Sequence, residues 1–176
     1  IVDEAEFDLD RWYSTLQNEG VQVWYTAPTA IRMLMRAGKD AAKGYDFTKL
    51  RFLASVGEPL NPEAVVWGHD VFGKPFHDNW WQTETGGIMI SPLAGITPTK
   101  PAYATLPLPG IQLSIVDAEG KELLGNSVEG NLCIDFPWPS MIRTTYGDHE
   151  RCKQTYFSTY KNKYFTGDGV KRDHDG

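Results

Sequence analysis

A chain of 176 residues, 41% of them hydrophobic, is long enough to bury one sizeable core or two small ones and too apolar for wholesale disorder. Its net charge of −6 and isoelectric point near 5.2, with lysines and arginines scattered rather than clustered, argue against the basic face of a nucleic-acid binder. No apolar run approaches the ~20 residues that a membrane-spanning helix needs, and the acidic start, Ile1-Val2-Asp3-Glu4-Ala5-Glu6, does not read as a secretion signal.

In chain order, Leu9 to Glu19 reads as a helix with Trp12, Tyr13 and Leu16 on its apolar face and Gly20 as its stop. Val21 to Tyr25 reads as a strand. A second helix is expected from Pro28, where proline suits the first helical position, with Ile31, Leu34 and Met35 at three-four spacing. Leu50 to Val56 forms the next expected strand. Asn61 as N-cap and Pro62 as first residue open a third helix to about Val71, and Phe76 to Asn79 completes the alternation. Strands alternating with helices imply βαβ units and a mostly parallel sheet, whose ligands bind at the carboxyl ends of the strands.

After about Pro92 the composition changes. Pro98, Pro101, Pro107 and Pro109 punctuate a loop-rich stretch, and two alternating strands follow, Ile111–Val116 and Gly130–Asp135, with a turn at Asp117–Gly120. A short helix is expected over Asp148–Tyr156. The fold class is therefore α/β, a mostly parallel sheet flanked by helices followed by a small antiparallel β subdomain, divided at 1–95 and 96–176. The cysteines, Cys133 and Cys152, and the histidines, His69, His77, His149 and His174, match no metal-ligand spacing. Two free thiols suit a reducing compartment, so a cytoplasmic location is expected.

The chemistry-bearing run is Asp78-Asn79-Trp80-Trp81-Gln82-Thr83-Glu84-Thr85-Gly86-Gly87. Two adjacent tryptophans offer a flat wall and a pocket floor. Thr83 offers a hydroxyl to a phosphate and Glu84 a hard oxygen ligand to Mg²⁺, while Gly86 and Gly87 allow a tight backbone turn beside a ligand. Each feature also has a plain reading: core tryptophans, an acid at a helix N-terminus, an ordinary turn. Gly57-Glu58-Pro59 reads as a strand-to-helix connection or as backbone laid against an aromatic base. Asp168, flanked by Gly167 and Gly169, reads as a tight turn or as a carboxylate able to accept two ribose hydroxyls.

Val56-Gly57-Glu58-Pro59-Leu60-Asn61-Pro62, the double-tryptophan run, Tyr164-Phe165-Thr166-Gly167-Asp168-Gly169 and, upstream, Tyr25-Thr26-Ala27-Pro28-Thr29 together resemble the acyl-adenylate-forming enzymes. The nearest group among them is the AMP-forming acetate–CoA ligases (acetyl-CoA synthetases), and the likeness runs from about Val21 to Gly176. The resemblance implies activation of acetate by ATP to acetyl-adenylate and pyrophosphate, then transfer to coenzyme A with release of AMP. It places Gly57, Glu58 and Pro59 along the adenine ring, Asp78 at its exocyclic amine, and Asn79, Trp80, Trp81, Gln82 and Thr83 around the nucleotide. Val56 and Trp81 shape the acetate pocket, Trp81 as its end wall, a steric device suited to choosing a small acid. Thr83 and Glu84 serve the phosphate end as catalytic residues, Glu84 through Mg²⁺; Asp168 holds the ribose, and Ala27 lies beside the coenzyme A thiol.

The family's Ser/Thr/Gly-rich phosphate loop has no counterpart in these residues. A ribose-binding arginine and a C-terminal domain with a catalytic lysine are expected outside them. The chain is therefore read as an internal fragment of a longer enzyme, with little turnover of its own, acting on acetate, ATP and CoA and on neither nucleic acid nor membrane; the sequence names no protein partner. A propionate or other short-chain acid ligase, and a non-catalytic nucleotide-binding module, are the alternatives.

Overall fold

A computed structural model describes residues 6–176, which divide into two compact units. The first takes in the residues through Trp80 together with Ile90–Leu106. Its opening helix, α1 (Leu9–Asn18), starts at Asp8, whose carboxylate accepts the backbone N–H groups of Asp10 and Arg11. It ends where Gly20 donates to the Gln17 carbonyl and Val21 to the Leu16 carbonyl, the paired bonds of a Schellman stop. Then follow β1 (Val23–Thr26), α2 (Pro28–Arg36), a 3-10 turn at Lys39–Ala42, β2 (Phe52–Ser55), α3 (Pro62–Phe72) and β3 (Phe76–Asp78). The three strands are parallel in the order β1-β2-β3, pairing Val23 with Phe52 and Leu53 with Phe76. Each expected helix and strand of this half is present, with ends moved by at most two residues. One detail differs. Asn61 stands at the N-cap position of α3, but its side chain does not cap the helix; its amide donates to the Glu63 carboxylate at 2.9 Å instead.

An aromatic core holds this unit together. Tyr13 and Phe76 are fully buried, Trp24 and Phe72 nearly so, and their rings meet edge to face: Trp24 with Phe76 at 5.6 Å, Phe72 with Phe47 at 4.9 Å. Such pairs add to the area they bury. Gly68 matters here because a Cβ on it would lie 2.6 Å from the Phe76 ring; its bare backbone lets α3 settle onto β3.

The second unit comprises Trp81–Met89 and Pro107–Gly176. A 3-10 turn at Thr83–Thr85 precedes β4 (Leu113–Val116), β5 (Val128–Ile134), α4 (His149–Phe157) and β6 (Tyr164–Arg172). The strands form an antiparallel sheet in the order β4-β5-β6, and Asp148 opens α4 by accepting the Arg151 N–H. The expected antiparallel subdomain is thus present. β6 is the addition. Its Gly167-Asp168-Gly169 looks like a turn in sequence but lies inside the strand, as a bulge. Between the pairs Asn131–Gly169 and Cys133–Phe165, β5 advances two residues while β6 advances four. Gly167 takes a φ of 78°, which glycine tolerates, and the Thr166 hydroxyl bridges the defect, donating to the Leu132 carbonyl at 2.8 Å and accepting the Asp168 N–H at 3.0 Å. Cys133 and Cys152 are both free and buried, and burial pushes the Cys133 thiol up to about 11. Among the described residues no helix is long and apolar enough to cross a membrane.

Candidate functional site

In the first unit the expected ligand segments follow the carboxyl ends of the three parallel strands. Ala27 follows β1, Val56 to Pro59 follow β2, and Asn79 and Trp80 follow β3. The ends are cross-tied. The Val56 N–H donates to the Thr26 carbonyl at 3.1 Å, the Tyr25 hydroxyl to Asn79 Oδ1 at 3.0 Å, and the Leu60 N–H to Asp78 Oδ2 at 3.2 Å. Asp78 is the last residue of β3, paired in register with Ser55, and is buried. Burial pushes its carboxyl up, opposed by the N–H groups of Leu60 and Asn79. Its side chain therefore anchors the turn after β2 as well as standing at the strand end where the adenine amine is expected.

Glu58 points elsewhere. Its Oε1 accepts the Thr29 hydroxyl at 2.6 Å and the Arg32 guanidinium at 2.9 Å, both on α2, and these partners, Thr29 first, hold its carboxyl below the usual range. Gly57, Glu58 and Pro59 are all exposed. Gly57 has a φ of 97°.

The second unit holds a side-chain network. Gln82 is its hub: the amide nitrogen donates to the Thr166 carbonyl at 2.7 Å and to Asp168 Oδ2 at 3.0 Å, and the amide oxygen accepts the Tyr164 hydroxyl at 2.9 Å. Asp168 is thereby held by a residue 86 positions earlier in the chain. Within the 3-10 turn Thr83 is exposed, Glu84 half-buried and Thr85 fully buried. Thr85 accepts the Gln82 N–H on its hydroxyl at 2.9 Å, and its carbonyl takes the Trp138 indole N–H at 2.8 Å and the Ser140 hydroxyl at 2.7 Å. The Glu84 carbonyl accepts the Ile142 N–H at 2.9 Å. A Cβ on Gly86 would lie 2.5 Å from the Ser140 carbonyl oxygen, so this glycine serves close packing against the 138–142 segment.

Glu84 Oε1 accepts the Tyr156 hydroxyl at 2.6 Å, and this bond, reinforced by burial, pushes the phenol up to about 12. A phenol that stays neutral remains a hydrogen-bond donor to Glu84. One hard carboxylate on a turn suits Mg²⁺, which binds through one or two carboxylates together with substrate phosphates and water. The donor chemistry fits the ion. Trp81, 36% exposed, begins this unit, while half-buried Val56 belongs to the first. Five residues of the network, Tyr156, Tyr164, Thr85, Thr166 and Trp138, carry no signal as site residues in the sequence. Thr85 stands in the double-tryptophan run and Tyr164 and Thr166 beside the Gly-Asp-Gly segment, where other residues of each motif dominate.

The family of AMP-binding enzymes matches residues 1–143, and the chain belongs to it. Among curated relatives, the acetyl-coenzyme A synthetases of Bradyrhizobium diazoefficiens and Rhizobium meliloti are each 55% identical over 96% of this chain, and that of Caulobacter vibrioides is 54% identical over 94%. The chain spans about a quarter of their length, 26% in each case.

Proposed function

We propose that this chain is the adenylate-handling part of a longer AMP-forming acetate–CoA ligase. The observation that carries the reading is the hold on Asp168. A strand bulge and the Gln82 amide hold the Asp168 carboxylate, the residue that the motif's resemblance assigns to the ribose, on a sequence that is 55% identical to an acetyl-coenzyme A synthetase, and this supports the reading.

In this reading Gly57, Glu58 and Pro59 offer backbone to the adenine face, and Asp78 offers an acceptor at the end of β3. Asn79, Trp80, Trp81, Gln82 and Thr83 line the nucleotide. Asp168 accepts the ribose hydroxyls. Adenylation asks a weak nucleophile, acetate, to attack the α-phosphorus and expel pyrophosphate. Little covalent work falls to the protein, so positioning and charge stabilisation dominate. The Thr83 hydroxyl donates to a phosphate oxygen. Glu84 would hold Mg²⁺, which supplies charge neutralisation on the phosphates when bound. Val56 and Trp81 bound the acetyl group, and Ala27 lies on the approach of the coenzyme A thiol, which displaces AMP in the second half-reaction. The substrates are small molecules, ATP, acetate and CoA, in the cytoplasm.

The test is acetate-dependent release of pyrophosphate by the full-length protein carrying this sequence, supplied with ATP and Mg²⁺. No release with acetate, or release equal with and without it, rules the reading out. Trp81→Gly then examines the wall: preference is expected to move toward longer acids, because a single methylene is otherwise discriminated by only ~1–3 kcal/mol. An unchanged preference removes Trp81 from the pocket, and a native preference for propionate makes the enzyme a ligase of that acid.

A further inference from the structure

We propose that Tyr156 and Tyr164 are a pair of positioning residues, Tyr156 setting the metal-facing carboxylate of Glu84 and Tyr164 setting the ribose-facing carboxylate of Asp168 through Gln82. The inference rests on the ligase reading above and adds two residues to it.

The geometry is specific to each. Tyr156, on the last turns of α4, donates its hydroxyl to Glu84 Oε1 at 2.6 Å. One carboxylate oxygen is thereby committed, and the group is restrained about its own long side chain. Tyr164, at the start of β6, donates to Gln82 Oε1 at 2.9 Å. An amide has a donor end and an acceptor end. With its oxygen taken by Tyr164 and its nitrogen giving one N–H to the Thr166 carbonyl at 2.7 Å, the second N–H is aimed at Asp168 Oδ2, 3.0 Å away. Reversing the amide would put its oxygen against both the Thr166 carbonyl and the Asp168 carboxylate, so these two acceptors set its orientation, and the Tyr164 hydroxyl pins the oxygen end and with it the N–H that reaches Asp168.

The rings are joined as well. Tyr156 stacks on Tyr164 with centroids 5.5 Å apart and planes within 11°, and Trp138 and Phe157 close on Tyr164 edge-on at 5.2 and 5.6 Å. Phenylalanine at either position keeps the rings and removes one oxygen. Neither phenol is placed at a reacting atom, so both act through the carboxylates.

The test uses the full-length protein and two binding readouts. One is the half-saturating concentration of Mn²⁺, standing in for Mg²⁺, in the presence of ATP, followed by electron paramagnetic resonance. The other is the calorimetric preference for ATP over 2′-deoxy-ATP. Tyr156→Phe is expected to raise the Mn²⁺ requirement ~10-fold or more, the scale of loss when a support of a metal ligand is removed, and to leave the ribose preference unchanged. Tyr164→Phe is expected to narrow the ribose preference several-fold and leave the Mn²⁺ curve in place. A Glu84→Gln background is expected to abolish the effect of Tyr156→Phe, since coupled residues are not additive. Mn²⁺ curves that overlay for native protein and Tyr156→Phe overturn the Tyr156 assignment, and an unchanged ribose preference in Tyr164→Phe overturns that of Tyr164. Parallel losses of both readouts in both variants overturn the pairing and leave a shared packing role. A native protein that binds neither ion nor nucleotide fails the ligase reading itself, a distinct result from any of these.

Discussion

The two units position their candidate site residues by different means. In the first, a parallel sheet delivers backbone to one edge: the expected segments follow β1, β2 and β3 simply because parallel strands end on the same side. In the second, an antiparallel sheet delivers one strand bulge, and side chains far apart in sequence, Gln82 with Asp168 and Glu84 with Tyr156, do the rest. Position in the first unit comes from topology over an apolar core. In the second it comes from polar groups that satisfy one another, where leaving any one unpaired is costly.

That contrast is breakable by substitution. The largest effect is expected from Phe76→Ala, which empties the centre of the aromatic core that seats all three strands; chemical denaturation should show a loss of ~3–5 kcal/mol. Next comes Gln82→Leu, an apolar residue in the hub of the network. It strands the Tyr164 hydroxyl, the Thr166 carbonyl and one face of Asp168, at an expected cost of about 1–3 kcal/mol in the same measurement. If it costs nothing, the second unit is held by packing as the first is.

A pH titration sharpens the comparison from the other side. The carboxyl of Asp78 is raised in the folded protein, so the fold binds its proton more tightly than the unfolded chain does. Its contribution to stability is present below the ordinary carboxylate range and is lost as pH rises through the raised folded value. Asp78→Asn has no such charge to bury. The stability of the variant relative to the native protein should therefore increase as pH climbs through that window, read by melts at matched pH. A constant difference across pH removes Asp78 burial from the account. The smallest effect is expected from Tyr13→Phe. This hydroxyl is buried with no hydrogen-bond partner among the described residues, and burial pushes it up to about 12. Its removal should leave Tm equal or higher; a clear drop means that the hydroxyl is satisfied.

The same contrast explains what could be read from the sequence. Pro28 and Pro62 at first helical positions, Gly20 as a stop and apolar runs of strand length all act within a few residues, and the βαβ order follows from them. The motif at Asp78–Gly87 was legible as chemistry because its residue types are unusual together. The bulge in β6 was not. Gly167-Asp168-Gly169 has the composition of a turn, and whether it turns or bulges depends on pairing with β5, more than thirty residues earlier. The support of Glu84 by Tyr156, 72 positions away, is invisible for the same reason, and so is the diversion of Glu58 to Thr29 and Arg32. Local rules find the elements and nominate candidate groups; which side chain holds which is decided by tertiary pairing.

The ribose-holding carboxylate is the central claim, and its most direct test is calorimetric titration of the full-length protein with an alkyl ester of AMP, a stable mimic of acetyl-adenylate, in native form and as Asp168→Ala. Tight binding by the native protein that collapses in the variant, with the fold intact by circular dichroism, is the predicted result. Equal binding by both would contradict it and leave the Gln82–Asp168 bond as a brace within the sheet.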